Sequence, residues 1–195
     1  YISVINNSST SIKIKTEVPN YASGIRVYLS KDDGVSYKDS LNFLSGDITI
    51  NNLIENQMYL IKVKAFNASG SSDFSETFAI CPQNISAKVL IVNGFDRIIA
   101  SDNTRDYIKI YGKALVENLF TYNFDCANNE AVYLNQINLD NYYSVIWILG
   151  EESTADETFN TLEQTAVKNF LSGNNKSFLV SGSEIGWDLG RSASS

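Results

Sequence analysis

An all-β sandwich over residues 1–80, followed by an α/β domain with a parallel sheet over residues 88–195, is the fold class that this sequence predicts. Three observations carry it. Apolar and polar residues alternate with period two through the first eighty positions. Beyond them come continuous apolar runs separated by segments of helical period. A short segment, 81–87, which opens Cys81-Pro82-Gln83-Asn84, falls where the period changes and reads as the linker.

The strands of the first part follow in order. The chain opens on the strand-like Tyr1-Ile2-Ser3-Val4-Ile5. Ser11 to Val18 sets Ile12, Ile14 and Thr16 against Lys13 and Lys15, and Gly24 to Ser30 repeats this with Ile25, Val27 and Leu29. Ile48 to Leu53 and Met58 to Phe66 continue it. Such alternation makes strands with one face to a core and one to water. Turn chemistry separates them at Lys31-Asp32-Asp33-Gly34, Ser45-Gly46-Asp47 and Asn67-Ala68-Ser69-Gly70.

The second part is read the same way. Lys88 to Phe95 is an apolar run ending in Asn-Gly, as expected of a strand buried on both faces. Asp106 to Phe120 places Ile108, Tyr111, Leu115 and Leu119 on one helical face. Tyr143 to Gly150 is a second buried strand. A second helix follows, with Thr154 and Glu157 as a capping box, Gly173 as its stop, and an apolar face of Phe159, Leu162, Ala166 and Phe170. Ser177 to Gly182 gives a third strand, which runs into the turn Ser183-Glu184-Ile185-Gly186 and the start of another helix.

Alternating strands and helices predict a parallel sheet, whose ligand crevice lies beyond the carboxyl ends of the strands. Those ends carry Asn93, Asp96 and Arg97, then Glu151, Glu152 and Ser153, then Ser181, Ser183 and Glu184. Asp96, Arg97, Glu151, Glu152 and Ser181 are the candidate substrate-binding residues. Glu184 and Ser183 are the candidate catalytic ones.

Composition excludes several functions. With 15 basic and 22 acidic residues the net charge is −7, which leaves a nucleic-acid role without an electrostatic footprint. No apolar run approaches the roughly 20 residues that span a bilayer. No histidine occurs, so Ser–His and Cys–His pairs and histidine-ligated zinc cannot be assembled from this chain, and no metal is assigned. No Ser/Thr-rich phosphate loop follows Val92, which argues against a flavoprotein and leaves no cofactor to assign. Cys81 and Cys126 stand at unrelated positions and read as free buried thiols in preference to a disulfide. The sequons at Asn67, Asn84 and Asn175 matter only in a eukaryotic secretory pathway.

Two resemblances add to this reading. Leu53, Tyr59, the alternating Ile61, Val63 and Ala65, and the run from Ala65 to Glu76 resemble the E–F corner, F strand and G strand of a fibronectin type III domain, an immunoglobulin-like sandwich. The resemblance implies that Leu53 plugs the core and that the Tyr59 hydroxyl ties back to the backbone. It also implies that Thr16 replaces the usual B-strand tryptophan, so that the core leans on Tyr28, Leu53 and Tyr59. Such domains serve as spacers or adhesive modules.

The segments VLIVNGFDR, NYYSVIWILGEES, DETFNTLEQ and LVSGSEIGWDL resemble a class I glutamine-amidotransferase-like domain, which is flavodoxin-like. The succession of the two resembles secreted multidomain Bacteroidetes proteins labelled N-acetylmuramoyl-L-alanine amidase or xanthan-lyase-like. In working amidotransferases the elbow carries a cysteine, activated by a later histidine. Aligning that pattern on Gly182 to Gly186 puts Glu184 at the nucleophile position, and Gly182 and Gly186 become structural residues of the turn. The resemblance therefore implies an accessory, non-catalytic segment of a secreted, periplasmic or surface protein. Its partners would be glycan or peptidoglycan and further domains of the same polypeptide, since sheets of this family continue past the elbow helix. The alternative is a hydrolase with a carboxylate-based site at the strand ends.

Overall fold

The computed structural model describes residues 1–96, 106–118, 123–151 and 158–192. Arg97, Leu119, Glu152, Ser153, Thr154 and Glu157, named above, lie outside them.

The first eighty residues form a β-sandwich of two sheets. One of its sheets contains β1 (Ile2–Ser8), β2 (Ser11–Thr16) and β5 (Asp47–Ile50). The other contains β3 (Gly24–Ser30), β4 (Asp39–Phe43), β6 (Tyr59–Asn67), β7 (Gly70–Ser71) and β8 (Phe78–Ile80). The period-two pattern sets the faces, because successive side chains of a strand point to opposite sides. Ile12, Ile14, Ile25, Val27, Leu29, Ile61 and Val63 are buried. Tyr28 departs from the expected core: it is only partly buried and meets Phe74 edge-on at 5.0 Å. Its place in β3, between inward Val27 and Leu29, gives it the outward direction.

The second part contains β9 (Val89–Asn93), α1 (Tyr107–Asn118), β10 (Phe124–Asn128), α2 (Asn129–Tyr133), β11 (Ser144–Gly150), α3 (Thr161–Ser172), β12 (Ser177–Gly182) and α4 (Ile185–Ser192). The strands lie in the order β10-β9-β11-β12, each pair parallel. On one face Ile108 of α1 packs in a cluster with Ile91 and Ile148. On the other, Ala131 of α2 and Phe170 of α3 pack with Leu90, Val92 and Trp147.

Three features differ from expectation. Strands β4, β8 and β10 and helix α2 are not among the elements expected from the sequence. Helix α3 begins at Thr161, and its capping box is Asn160 with Glu163. Leu162 faces solvent at 59% exposure, while Phe159 and Phe170 are buried.

The period change at 81–87 does not separate two sheets. Strand β1 pairs antiparallel with β10, matching Val4 to Cys126, so the β1-β2-β5 sheet and the parallel strands form one seven-stranded sheet. The apolar core crosses the same seam: Ile14, Phe78 and Ile80 share a cluster with Ile91, Ile108, Phe124 and Cys126. Gly112 brings α1 close to Phe124, since a Cβ there would stand 2.8 Å from the ring. The connecting segment is held down too. Asn6 donates through Nδ2 to the carbonyls of Gln83 and Ile85 at 2.8 and 3.0 Å, and its Oδ1 accepts from the Gln83 N–H.

Candidate functional site

The carboxyl ends of β9, β10, β11 and β12 lie side by side, because the four strands are parallel and in register. Each end positions a different group. After β9, the Gly94 N–H donates to the Ile148 carbonyl at 2.8 Å. Glycine is required there because a Cβ would collide with the Trp147 indole nitrogen. Two residues on, Asp96 Oδ2 accepts from Asn129 Nδ2 at 2.7 Å.

Asn129 is the first residue of α2 and is buried. Its Nδ2 also donates to Glu163 Oε1 at 2.9 Å, while Glu163 Oε2 accepts from the Asn160 backbone N–H at 2.8 Å. Glu163 thus caps its own helix with one oxygen and meets the strand-end cluster with the other. A buried carboxylate needs such partners to offset the loss of water. Neither Glu163 nor Asn129 was among the candidates. The signal for Glu163 was its N-x-x-E spacing with Asn160, which competes with the equally spaced Thr154 and Glu157.

The sandwich contributes to the same rim. Glu76, between β7 and β8, lies near Asn128 at the end of β10. Burial raises its pKa above the ordinary carboxylate value, and the charge of Glu130 adds to this.

At the far end, β12 passes into α4 through a sharp turn. Ser183 N–H donates to the Gly150 carbonyl at 2.8 Å. Glu184 adopts φ 59°, a left-handed conformation that few non-glycine residues take up. Its carbonyl accepts from the N–H groups of Trp187 and Asp188, both at 3.0 Å, which starts the helix. The Glu184 side chain is exposed, as is Glu151 at the end of the neighbouring strand. Ser181 and Ser183 are half-buried. A Cβ on Gly182 would lie 2.7 Å from Leu149 Cβ, whereas one on Gly186 would meet no atom within 4 Å. Asp188 is buried, and its Oδ2 accepts from the Thr158 N–H at 3.0 Å.

The candidates therefore fall into two groups. Asp96 joins Asn129 and Glu163 beside α2 and α3. Ser183, Glu184 and Glu151 follow the adjacent ends of β11 and β12, where Gly150 is paired with Gly182. Among the described residues, no three acidic or cysteine side chains converge as a metal site would require. The elbow offers a backbone turn held in place, two serine hydroxyls and an exposed carboxylate, with no histidine in the chain to act as base.

In the sandwich, Leu53 is buried, and the Tyr59 hydroxyl accepts from the Ile54 N–H at 3.0 Å. Asn52 and Asn56, both at φ 61°, bend the chain around this corner.

No family model matches the chain, and no curated protein matches it. Among solved structures, it is similar to the FN1–FN3 domains of chicken CNTN1, at 21% identity over 43% of this chain and 31% of that one, with a TM-score of 0.37. It is also similar to the fn3 domain of human contactin 1, at 16% identity over 44% of this chain and 76% of that one, TM-score 0.39. A third is the fn3 domain of the human collagen alpha-1(XX) chain, at 15% identity over 44% and 84%, TM-score 0.38. The chain thus spans about a third of the chicken CNTN1 fragment.

Proposed function

We propose that this chain is an accessory, non-catalytic segment of a secreted bacterial protein acting on cell wall or polysaccharide. On this reading a fibronectin type III-like sandwich is joined to a class I glutamine-amidotransferase-like half. One observation carries it. Glu184 occupies the positive-φ position of the strand-to-helix turn, in a chain without histidine. In α/β enzymes that position holds a nucleophile up for attack, and the nucleophile needs a base. A carboxylate cannot replace a thiolate in amide transfer. Asp96 and Glu163 already bond to Asn129, and Asp188 to a backbone N–H. Support for a flavodoxin-like sheet comes from the parallel order β10-β9-β11-β12 with helices on both faces. The partners are glycan or peptidoglycan and further domains of the parent polypeptide.

The second reading is a hydrolase, an N-acetylmuramoyl-L-alanine amidase or a polysaccharide-degrading enzyme. The exposure of Glu151 and Glu184 at neighbouring strand ends favours it. Incubation with peptidoglycan and with acidic polysaccharide separates the two. The accessory role requires no release of amino groups or reducing ends above the blank, and unchanged behaviour of Glu184→Gln. Turnover that disappears in Glu184→Gln would establish the hydrolase.

A further inference from the structure

The outer face of the β4-β3-β6 sheet gathers cations and rings. Arg26 and Tyr28 of β3 point away from the core beside Lys62 and Lys64 of β6, and the register sets Arg26 opposite Lys64. Like charges directly opposite one another weaken strand pairing. Among the described residues, Arg26, Lys62 and Lys64 form no ion pair with a carboxylate. They lie against aromatic rings instead. The Arg26 guanidinium is 5.3 Å from the Phe66 centroid, Lys64 Nζ is 4.0 Å from that of Phe74, and Lys62 Nζ is 5.2 Å from that of Tyr37. In a chain of net charge −7, this concentration of positive charge is local.

The face continues into a groove of about 320 Å³, lined by Tyr21, Ala65, Phe66, Asn67, Ser69 and Ser71 among others. Tyr21 is 73% exposed. Asn67 fixes the groove. Its Nδ2 donates to the Tyr21 carbonyl at 3.0 Å, and its Oδ1 accepts from the N–H groups of Ser69 and Gly70 at 2.8 and 3.2 Å. A surface held in shape before binding loses less entropy when a ligand arrives.

We infer that this face binds an anionic polysaccharide, a sugar chain carrying carboxylates at intervals. The rings present flat apolar surfaces to sugar C–H groups. Arg26, Lys62 and Lys64 meet the carboxylates, and the exposed Ser69 and Ser71 meet hydroxyls. The net charge of −7 argues against nucleic acid as the ligand. The inference rests on the sandwich face alone, so the fate of the strand-end reading does not decide it.

Calorimetric titration of the whole chain tests it, with polygalacturonate as probe and amylose and duplex DNA as controls. Expected is binding of polygalacturonate that weakens with added salt and exceeds binding of both controls. Arg26→Gln with Lys64→Gln should reduce the affinity by about tenfold or more, the loss of two bonds made by charged groups. Tyr21→Ala should weaken it as well, and Lys13→Gln on the opposite sheet should leave it unchanged. All variants should remain cooperatively folded by thermal unfolding, since every changed side chain lies outside the core. No binding of polygalacturonate, equal or tighter binding of DNA, or full affinity in the double variant would each overturn the inference.

Discussion

The backbone N–H of Asn6 donates to Asp125 Oδ1 at 2.7 Å, although 119 positions separate the two residues. The other oxygen of the same carboxylate accepts from the Tyr142 hydroxyl at 2.8 Å. One buried side chain thereby links β1, β10 and the segment that enters β11. Desolvation pushes its pKa up to about 6, with both hydrogen bonds pulling the other way. The folded protein then holds this proton more tightly than the unfolded chain. The resulting stability is complete below the ordinary carboxylate pKa and is lost as pH rises through about 6. Urea unfolding at pH 4 and pH 8 should show a loss of up to roughly 3 kcal/mol attributable to this group. Asp125→Asn keeps the shape and cannot ionise, so it should flatten that part of the profile. An identical profile in the variant would assign the pH dependence elsewhere.

At the corner of the sandwich, Tyr59→Phe removes the bond accepted from Ile54 and leaves the ring packed. It should cost about 1 kcal/mol. Tyr59→Ala opens a cavity as well and should cost about 3–5 kcal/mol in denaturant unfolding. A neutral alanine variant would contradict the buried position of the ring.

The two glycines of the elbow should behave differently. Gly182→Ala places a methyl group 2.7 Å from Leu149 Cβ, an overpacking expected to cost about 1–3 kcal/mol. Gly186→Ala enters open space inside helix α4 and should be neutral or stabilising by up to about 1 kcal/mol. Equal losses at both positions would mean that the turn is packed otherwise.

Cys81 and Cys126 are buried, and both thiols are free. Burial raises the Cys81 pKa to about 11 and that of Cys126 higher still, and the Cys126 thiol donates to the Ala79 carbonyl at 3.0 Å. Thiolate is the reactive form. At pH 8 neither cysteine should react with a disulfide reagent until the protein is unfolded. Rapid labelling of the native protein at either site would contradict this packing.

The legible parts of the sequence were those written in local period. Strands β1, β2, β3, β5 and β6 of the sandwich, and β9 and β11, announce themselves through alternating or continuous apolar residues, whereas the exposed β4, Asp39-Ser40-Leu41-Asn42-Phe43, does not. Strand β10, Phe124-Asp125-Cys126-Ala127-Asn128, does not, because an aspartate and an asparagine interrupt it. Their burial makes sense only with partners that lie far away: Asn6 and Tyr142 for Asp125, and the Ile2 N–H for Asn128. The strand-end cluster was half legible for the same reason. Asp96 follows a recognisable strand, while Glu163 looks like an ordinary residue of the first helical turn until Asn129 is seen beside it. The elbow was readable from its glycines and serines, but the φ of Glu184 is a property of the folded turn.

The pairing of β1 with β10 and the core shared across it imply that the sandwich and the helical half unfold as a single cooperative unit. Native-state hydrogen exchange tests this most directly. Amides of Ile61 and Val63 in β6 report on the sandwich, and those of Ile91 in β9 and Ile148 in β11 on the parallel strands. The slowest exchange in both sets should give the same opening free energy and the same dependence on denaturant. Sandwich amides that open with a separate, smaller free energy while the parallel strands stay closed would show two independent domains and contradict the joined sheet.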